Sequence, residues 1–475
     1  MSGPVEKRGI DLVPADHRYG KPRDLFFLWA GTTTNIFTVS YGALLVIGFG
    51  MTFWQAFIAI VVGNLLAFPL LALTSLQGPT TGTTTMTISR ASFGWMGARF
   101  NGFLSWLMLI GFEAGGLVLV YYSVQALFGR MGIAFNGVTQ IIAIVVLGLI
   151  QMLLPFFGHK LLMTAQKYAT YLFTVAFIAM AFLIIPQVQT GAEEGASFDL
   201  PLMISAIALV MASGGLSWAP SGANFSRYLP KDSNPKSVGL WAAMGGFVPY
   251  ILLQTLGAAM ATVVVPDGTD LSDPLAIPAI LPVAFAIPFL ILVGIGLMLQ
   301  NSTNLYSSSL NLQVAGITAP RWLMVIIDTV ICITVTIAVV SQSSFYDILN
   351  AFIASLGIWL APWVAIYLID WWMRRGEYNL RDLEEKGRGT NMPGVISLAA
   401  GMVAAALFAN TGYLVGPLTA LLSPADPSYA PDLSILVGVL VGGLLYAVLN
   451  KTLSPANAAD ASQNNQTQTK ESNNA

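Results

Sequence analysis

Apolar residues run along this chain in long stretches that are separated by short polar or charged loops. A stretch of 18 or more apolar residues is long enough to cross the hydrocarbon core of a membrane as a helix. The pattern predicts twelve such spans, near residues 26–49, 54–75, 102–128, 138–157, 161–185, 202–223, 238–265, 282–316, 322–340, 348–369, 394–409 and 433–449. The chain is therefore expected to be an all-α polytopic membrane protein with about twelve transmembrane helices.

The segments outside these spans divide the chain into three parts. Residues 1–25 contain no apolar stretch and are expected to form a cytoplasmic N-terminal tail. Residues 26–450 form the transmembrane domain. Residues 451–475 are rich in Asn, Gln, Ser and Thr, a composition typical of a disordered tail.

Positive charges are distributed unevenly between the loops on the two sides. Twenty of the 21 Lys and Arg residues fall in the tails and loops on one side of the predicted membrane. Arg130 is the exception, and lies among the loops of the opposite side, which otherwise carry acidic residues. Because positive residues are enriched in cytoplasmic loops, both termini are predicted to lie on the cytoplasmic side of the plasma or inner membrane. Only 9% of the residues are charged, and the formal net charge of −2 gives no reason to expect nucleic acid as a partner.

Small and polar residues interrupt the first and sixth spans. The first span contains Gly-Thr-Thr-Thr-Asn at residues 31–35, and the sixth contains Gly214, Gly215 and Pro220. Proline and glycine disfavour a continuous helix, and backbone groups freed at membrane depth bind ligands, ions or buried partners. Since the breaks lie five spans apart, they predict two inverted five-helix repeats with spans eleven and twelve appended. Close packing of small-residue faces is the alternative, but it explains one glycine better than two equivalent clusters.

Span eight carries the densest polar run inside an apolar segment, at residues 300–313. Asn301, Asn304 and Ser308 are spaced at i, i+3 and i+7, which predicts one polar helix face. Such a face suits a planar, amide-bearing solute. Interhelical hydrogen bonding is the structural alternative for parts of the run.

The same span offers a candidate cation site. Ser302 and Thr303 provide hydroxyl oxygens, which are hard ligands suited to a small cation such as sodium. Carbonyl groups near Thr34 and Phe37, at the break in the first span, are the expected additional ligands.

Glu113 is the most informative single charge because it lies well inside span three. An ionised carboxylate is costly there, so Glu113 is expected to face a cavity, pair with another group or stay protonated. It either contacts a ring N–H of the solute or carries a coupling proton. Phe112 and Trp218, beside Glu113 and within the second break, are the candidates for stacking a planar ring. Asp328 in span nine is a weaker functional candidate.

Other classes of protein have less support. A membrane enzyme would need catalytic parts, but the only histidines are His17 and His159, and no metal-binding or nucleophile motif occurs. No catalytic residue or cofactor is therefore expected. A channel fits broken-helix repeats less well than a transporter does. An amine or amino-acid symporter of the same fold stays open as the alternative.

Short motifs along the chain then indicate a family. They are Ile10 to Arg18 before the first span; Gly78, Pro79, Thr81, Gly82, Arg90, Phe93 and Gly94 after the second; Ser226 to Pro230 after the sixth; Asn304, Tyr306, Leu312 and Gln313 in the eighth; and Ala361, Pro362, Trp363 and Asp370 in the tenth. In this order they resemble the nucleobase:cation symporter-1 family, in its purine–cytosine permease branch. The resemblance covers most of the chain and implies a LeuT-type fold and cation-coupled uptake of nucleobases or related ureides.

The resemblance also implies site residues. In the sodium–hydantoin transporter of that family, a serine and a threonine of span eight help to bind sodium, and Ser302 and Thr303 occupy the matching positions. Phe112 stands where that transporter stacks a tryptophan, while Gly116 and Ser308 stand where it offers amides. Asn304 matches a substrate-binding asparagine of that transporter. Together with the candidates from the residue pattern, the predicted substrate residues are Phe112, Glu113, Gly116, Gly215, Trp218, Asn304 and Ser308. Glu113 is expected to supply the contact that the missing amides would have made. Sodium and protons both stay open as the coupling ion, and so does the oligomeric state.

Overall fold

The computed structural model describes residues 6, 8–189, 198–263, 277–340, 345–383, 389–411, 413–426 and 429–453. The helices of the first half are α1 (Asp24–Thr33), α2 (Ile36–Ile47), α3 (Phe53–Ser75), α4 (Gln77–Thr81), α5 (Thr85–Ile88), α6 (Arg90–Gly129), α7 (Gly137–Phe157), α8 (His159–Ile184), α9 (Leu200–Ser213), α10 (Gly215–Trp218) and α11 (Gly222–Ser226). Those of the second half are α12 (Pro235–Met260), α13 (Val283–Ala315), α14 (Arg321–Val340), α15 (Phe345–Met373), α16 (Leu380–Leu383), α17 (Met392–Leu407), α18 (Pro417–Leu422) and α19 (Ser434–Leu453).

The helices have the lengths and the surfaces of membrane spans. Among the described residues, ten helical segments are long and apolar enough to cross a membrane, and the bent pair α1–α2 makes an eleventh. Helix α17 has 16 residues and is shorter than a typical span. Large apolar side chains such as Val175 and Phe182 are 69% and 75% exposed, as expected where helices face lipid. The predicted all-α polytopic class is confirmed, whereas the count of twelve spans stays a prediction.

The first predicted break separates α1 from α2, which are bent by 57° relative to each other. Thr34 leaves helical geometry, and the extended Asn35 caps α2 by accepting a hydrogen bond from the backbone N–H of Phe37 at 2.9 Å. The Asn35 amide also donates to the carbonyl of Thr32 at 2.8 Å. One side chain thereby satisfies a donor and an acceptor that the break frees at membrane depth.

The sixth predicted span is divided into α9, α10 and α11. Gly214 breaks the helix between α9 and α10, with φ −114° and ψ −125°, and Pro220 lies in a 3₁₀ turn before α11. The hydroxyl of Tyr250 on α12 donates to the carbonyl of Ser213, next to this break, at 2.7 Å. By its length and apolar composition, this segment of 27 residues still qualifies as one membrane span, so this break bends the chain less than the first one does.

Two groups of helices meet at the centre of the fold. Helices α1, α2 and α3 pack around α12, and α9–α11 pack against α3, while α6, α7 and α14 surround α13. Helix α1 also packs against α8 and α13, so the first broken span lies where the groups meet. The polar stretch of α13 is buried there, with Thr303, Asn304 and Ser308 at 0% exposure.

Candidate functional site

A small internal cavity lies between the two groups, beside the two breaks. Its lining comprises Tyr41, Leu109, Phe112, Ser213, Ser217, Trp218, Tyr250, Gln300 and Asn304. The structure thus brings together three of the predicted substrate residues, Phe112, Trp218 and Asn304. The cavity has a volume of about 10 Å³, which is room for about one water molecule. The described conformation is therefore closed, and an aromatic ring enters only if the walls separate.

The cavity presents polar atoms without partners. Asn304 is fully buried, and neither its Oδ1 nor its Nδ2 atom has a hydrogen-bond partner among the described residues. The Oε1 atom of Gln300 is likewise unpartnered within that part of the chain. The hydroxyls of Ser217 and Tyr250 are already used, because they donate to the carbonyls of Gly214 and Ser213. An unmade buried hydrogen bond costs about 1–3 kcal/mol, which a solute with a complementary polar edge would recover.

Aromatic rings form much of the wall. Trp218 packs edge-to-face on Trp29, with ring centroids 5.5 Å apart, and Phe112 packs in the same way on Phe352 at 5.4 Å. These second rings hold the wall rings in place from outside the cavity. Flat apolar surfaces beside one amide are the arrangement that binds a planar, hydrogen-bonding ring.

The predicted residues Gly116 and Gly215 are not part of the described lining. A Cβ atom added at Gly215 would lie 2.5 Å from the carbonyl carbon and oxygen of Ala67 on α3. One added at Gly116 would lie 2.5 Å from Oδ1 of Asn301 on α13. Both glycines therefore permit close approach between helices in this conformation.

Glu113 and Ser308 belong to a second buried cluster, between α6, α13 and α14. Asp328 of α14 accepts hydrogen bonds from the hydroxyl of Ser308 at 2.5 Å and from the indole N–H of Trp106 at 2.6 Å. The Glu113 carboxyl is close enough to Asp328 and to the thiol of Cys332 to interact with them electrostatically. Neither of its oxygens has a hydrogen-bond partner among the described residues. Within the described chain, Asp328 therefore has two hydrogen-bond donors and Glu113 has none.

Ser302 and Thr303 contact different neighbours. Thr303 Oγ1 lies 3.0 Å from Thr32 Oγ1 on α1 and accepts a hydrogen bond from Nε2 of Gln166 on α8 at 2.9 Å. Ser302 donates to the carbonyl of Gln151 on α7 at 3.1 Å. Adjacent positions on a helix lie about 100° apart, so the two hydroxyls reach different helices. The structure brings Thr303, but not Ser302, to the break in the first span.

Gln166 adds a third oxygen at this place. Its Nε2 atom is used by Thr303, while its buried Oε1 atom has no partner within the described chain. A Cβ atom added at Gly31 would lie 2.6 Å from that oxygen, which therefore packs against α1 just before the break. Side-chain oxygens of Thr32, Gln166 and Thr303 thus gather at the end of α1, and all three are hard ligands.

The other predicted cation residues, Thr34 and Phe37, lie on either side of Asn35 at the break. Thr34 follows the last residue of α1, and Phe37 is the second residue of α2. The ring of Phe37 is parallel to that of Tyr41, with centroids 6.1 Å apart. Because Tyr41 lines the cavity, this pair joins the break to the cavity wall.

The N-terminal tail ties several helices together at one end of the bundle. The Glu6 carboxyl accepts hydrogen bonds from the backbone N–H of His159 at 2.6 Å and from the hydroxyl of Tyr228, and it lies 3.9 Å from both Arg227 and Arg321. We call the end formed by these five residues the tail face. Burial alone would raise the pKa of Glu6, but the charges of Arg321 and Arg227 outweigh it and lower that pKa below its usual value. Glu6 is therefore ionised at neutral pH.

Sequence reasoning missed Gln166, Tyr250 and Glu6. Gln166 and Tyr250 are isolated polar residues in apolar spans, where an uncharged polar group is a weak signal of a buried contact. The contacts of Glu6 join residues up to 315 positions apart, as in the hydrogen bond from Arg321 to its carbonyl. No local pattern predicts such a contact.

Residues 12–430 match the family described as permease for cytosine/purines, uracil, thiamine, allantoin. The chain is 29% identical over 463 residues to the putative purine-cytosine permease YxlA of Bacillus subtilis, covering 94% of this chain and 96% of that one. It is 24% identical over 387 residues to the purine-cytosine permease fcyB of Emericella nidulans, covering 77% and 73%.

Solved structures show the same fold. Mhp1, a nucleobase-cation-symport-1 family transporter in a closed conformation with bromovinylhydantoin bound, matches with a TM-score of 0.74 at 18% identity, covering 94% of this chain and 96% of that one. A Na⁺-coupled sialic acid symporter matches with a TM-score of 0.62 at 14% identity, covering 95% and 93%. The likeness confirms the predicted LeuT-type fold with broken helices, and the family consists of permeases rather than enzymes. The chain therefore belongs to the nucleobase:cation symporter-1 family, in its purine–cytosine permease branch, and is a multi-pass membrane transport protein.

Proposed function

We propose that the protein takes up a nucleobase, or a related planar nitrogenous compound of the cytosine or purine type, by symport with a cation. The observation that carries the proposal is the buried amide of Asn304, whose donor and acceptor are both unpartnered among the described residues at the wall of an aromatic cavity. A primary amide forms two parallel hydrogen bonds with an edge that has a donor beside an acceptor, as adenine has. The family's substrates support the same class.

An amine or amino-acid substrate is the alternative. A charged ammonium group removed from water needs a buried counter-charge or several good acceptors. The described lining of the cavity contains Tyr, Leu, Phe, Ser, Trp, Gln and Asn side chains and no acidic or basic one. A neutral ring is therefore the better match.

Sodium is the first candidate for the coupling ion. The oxygens of Thr32, Thr303 and Gln166 support a site at the end of α1, with carbonyl groups of the break near Thr34 and Phe37 as further ligands. Ser302 bonds to α7 in the described conformation. Its hydroxyl joins the site only if α13 rotates or the Ser302 rotamer changes.

A proton is the second candidate, because a specific cluster favours it. Glu113 lies fully buried beside Asp328, and no described residue donates a hydrogen bond to it. Ionising a carboxyl without donors at membrane depth is costly, so Glu113 is the member of the pair that holds the proton. Asp328 and Cys332 are the other titratable groups that face it.

We further propose that the tail face is cytoplasmic and that the protein resides in the plasma or inner membrane. The tail-face ends of the spans carry nearly all of the Lys and Arg residues, and such residues are enriched in cytoplasmic loops. Residues 1–25 and 451–475 would then both be cytoplasmic tails.

Uptake by the purified protein in liposomes tests the proposal. Radiolabelled cytosine, adenine, guanine, uracil, hydantoin and allantoin are each offered under an imposed sodium gradient, a proton gradient or neither. We expect gradient-driven accumulation of at least one of these compounds. Accumulation of leucine or choline instead would establish the alternative. Uptake that equilibrates without responding to either gradient would refute symport.

A further inference from the structure

Two cavities open along the side of α1 and α8, away from the central site. The larger has a volume of about 940 Å³. Its lining comes from one side of α1 and Thr34 after it, from α8 between residues 170 and 181 and the turn that follows, from α12 between residues 248 and 259, and from Phe53. None of the described side chains that line it is charged. It is therefore a hydrocarbon-like groove that faces the membrane.

The smaller cavity has a volume of about 300 Å³ and lies toward the tail face. Lys160, Thr164, Lys167 and Tyr168 line it from α8, at the spacing that places residues on one helix face. Asp24 also lines it and accepts a hydrogen bond from the backbone N–H of Lys21. With two lysines against one aspartate, the lining keeps a net positive charge.

The two lysines are exposed, and neither ammonium group forms an ion pair or a hydrogen bond with any residue that the structure describes. Lys167 lies over the ring of Phe27, with its nitrogen 5.8 Å from the centroid. It is eight positions into α8, about 12 Å along the helix axis. A lipid-facing cation at such a depth is costly unless it reaches the interface or meets an anion.

Phe27 lines both cavities, so the polar cavity and the apolar groove are adjacent, on two sides of one ring. We propose that the pair of cavities is a binding site for an anionic phospholipid. The phosphate lies against Lys160 and Lys167, and an acyl chain follows the groove along α8. A cationic cavity between helices that adjoins an apolar groove is complementary to an amphiphile with an anionic head.

The groove extends to the break in the first span, beside the candidate cation site. Its lining includes Thr34 at the break of the first span and Thr170, whose hydroxyl donates to the carbonyl of Phe27 at 2.9 Å. An acyl chain in the groove would contact α1, α8 and α12 together. The lipid therefore stabilises the packing of α1 on α8. An effect of that packing on transport rests on the proposed function, whereas the lipid binding itself does not.

Lipid titration of the purified protein tests the site. Phosphatidylglycerol and phosphatidylcholine are added to the detergent-solubilised protein, and bound lipid is counted by native mass spectrometry. Each lysine near the membrane surface raises the affinity for an anionic lipid roughly fivefold. With two lysines, we expect phosphatidylglycerol to bind about 25-fold more tightly than phosphatidylcholine. The variant with Lys160→Gln and Lys167→Gln should lose that preference. The matched control, Lys231→Gln with Lys236→Gln, removes two exposed lysines that line neither cavity and should keep it.

A second variant tests the acyl part. Ala181→Trp narrows the groove without changing charge and should weaken phosphatidylglycerol binding several-fold, whereas binding of a free phosphate would not respond to it. Equal binding of the two lipids, or a preference that survives both lysine substitutions, would overturn the proposal. Neither assay requires transport, so a failure here leaves the symport proposal untouched.

Discussion

Asn304→Ala separates substrate recognition from folding. If the amide forms two hydrogen bonds with the base, its loss removes about 1–3 kcal/mol of binding free energy, which corresponds to a 5- to 150-fold weaker affinity. The free energy of unfolding should change little, because neither amide atom has a hydrogen-bond partner among the described residues. The substitution therefore leaves no described group unpaired.

Asn301→Ala is the matched control, on the same helix and equally buried. The amide of Asn301 donates to the carbonyl of Glu113 at 2.8 Å and to Oε1 of Gln151 at 3.0 Å. Removing it leaves the buried Oε1 atom of Gln151 without its described donor, at about 1–3 kcal/mol, and takes one of two donors from the Glu113 carbonyl, which keeps its helical hydrogen bond. We expect this variant to unfold at a lower temperature while its folded fraction binds the base with unchanged affinity.

Equilibrium binding of the radiolabelled base to the detergent-purified variants, together with thermal unfolding of the same samples, measures both quantities. The predicted result is a double dissociation, in which Asn304→Ala loses affinity and Asn301→Ala loses stability. Unchanged affinity in Asn304→Ala would refute the assigned role of the cavity. Destabilisation of both variants to the same extent would show that the Asn304 amide has a structural partner.

Three further outcomes are expected. Thr303→Ala should raise the sodium concentration for half-maximal uptake about tenfold and Ser302→Ala much less; equal shifts would contradict a site centred on Thr303. Glu113→Gln keeps the size of the side chain but cannot titrate, so base binding should persist while pH-dependent accumulation disappears; loss of binding would instead make Glu113 a substrate contact. Glu6→Gln should lower the free energy of unfolding at pH 7 by about 1.5–3 kcal/mol, because Arg321 loses an ionised partner. Since the folded-state pKa of Glu6 is lowered, that contribution is complete above pH 4.5 and fades as pH falls through the lowered pKa. The unfolding curves of wild type and variant should therefore differ at pH 7 and converge as the pH falls through the lowered pKa of Glu6; a difference that stays constant with pH would contradict this assignment.

The membrane fold was predictable because its causes are local. Long apolar runs predict spans directly, and the cluster at residues 31–35 correctly marks the bend between α1 and α2. The second break was also correctly placed, at Gly214. Its smaller bend was not predictable, because the angle depends on how α9–α11 pack on α3.

The arrangement of polar residues on α13 was only partly predictable. The spacing of Asn301, Asn304 and Ser308 predicts one polar face, yet their partners are Gln151 and Glu113, the cavity, and Asp328, respectively. The face rule assumes that a helix has one polar side and one apolar side. Helix α13 is surrounded by other helices, so each polar side chain faces whichever neighbour lies on its own side of the helix.

The adjacency of Thr303 and Asn304 suggests how a cation and a base would be coupled. Thr303 bonds to Thr32 at the end of α1, while the next residue presents its amide to the cavity. A cation bound at Thr303 would hold α1 against α13 and so fix the wall on which Asn304 lies. Since such coupling is reciprocal in binding free energy, the base must raise the affinity for the cation by the same factor. Thr303→Ala should therefore weaken base binding at high sodium without weakening it in sodium-free buffer.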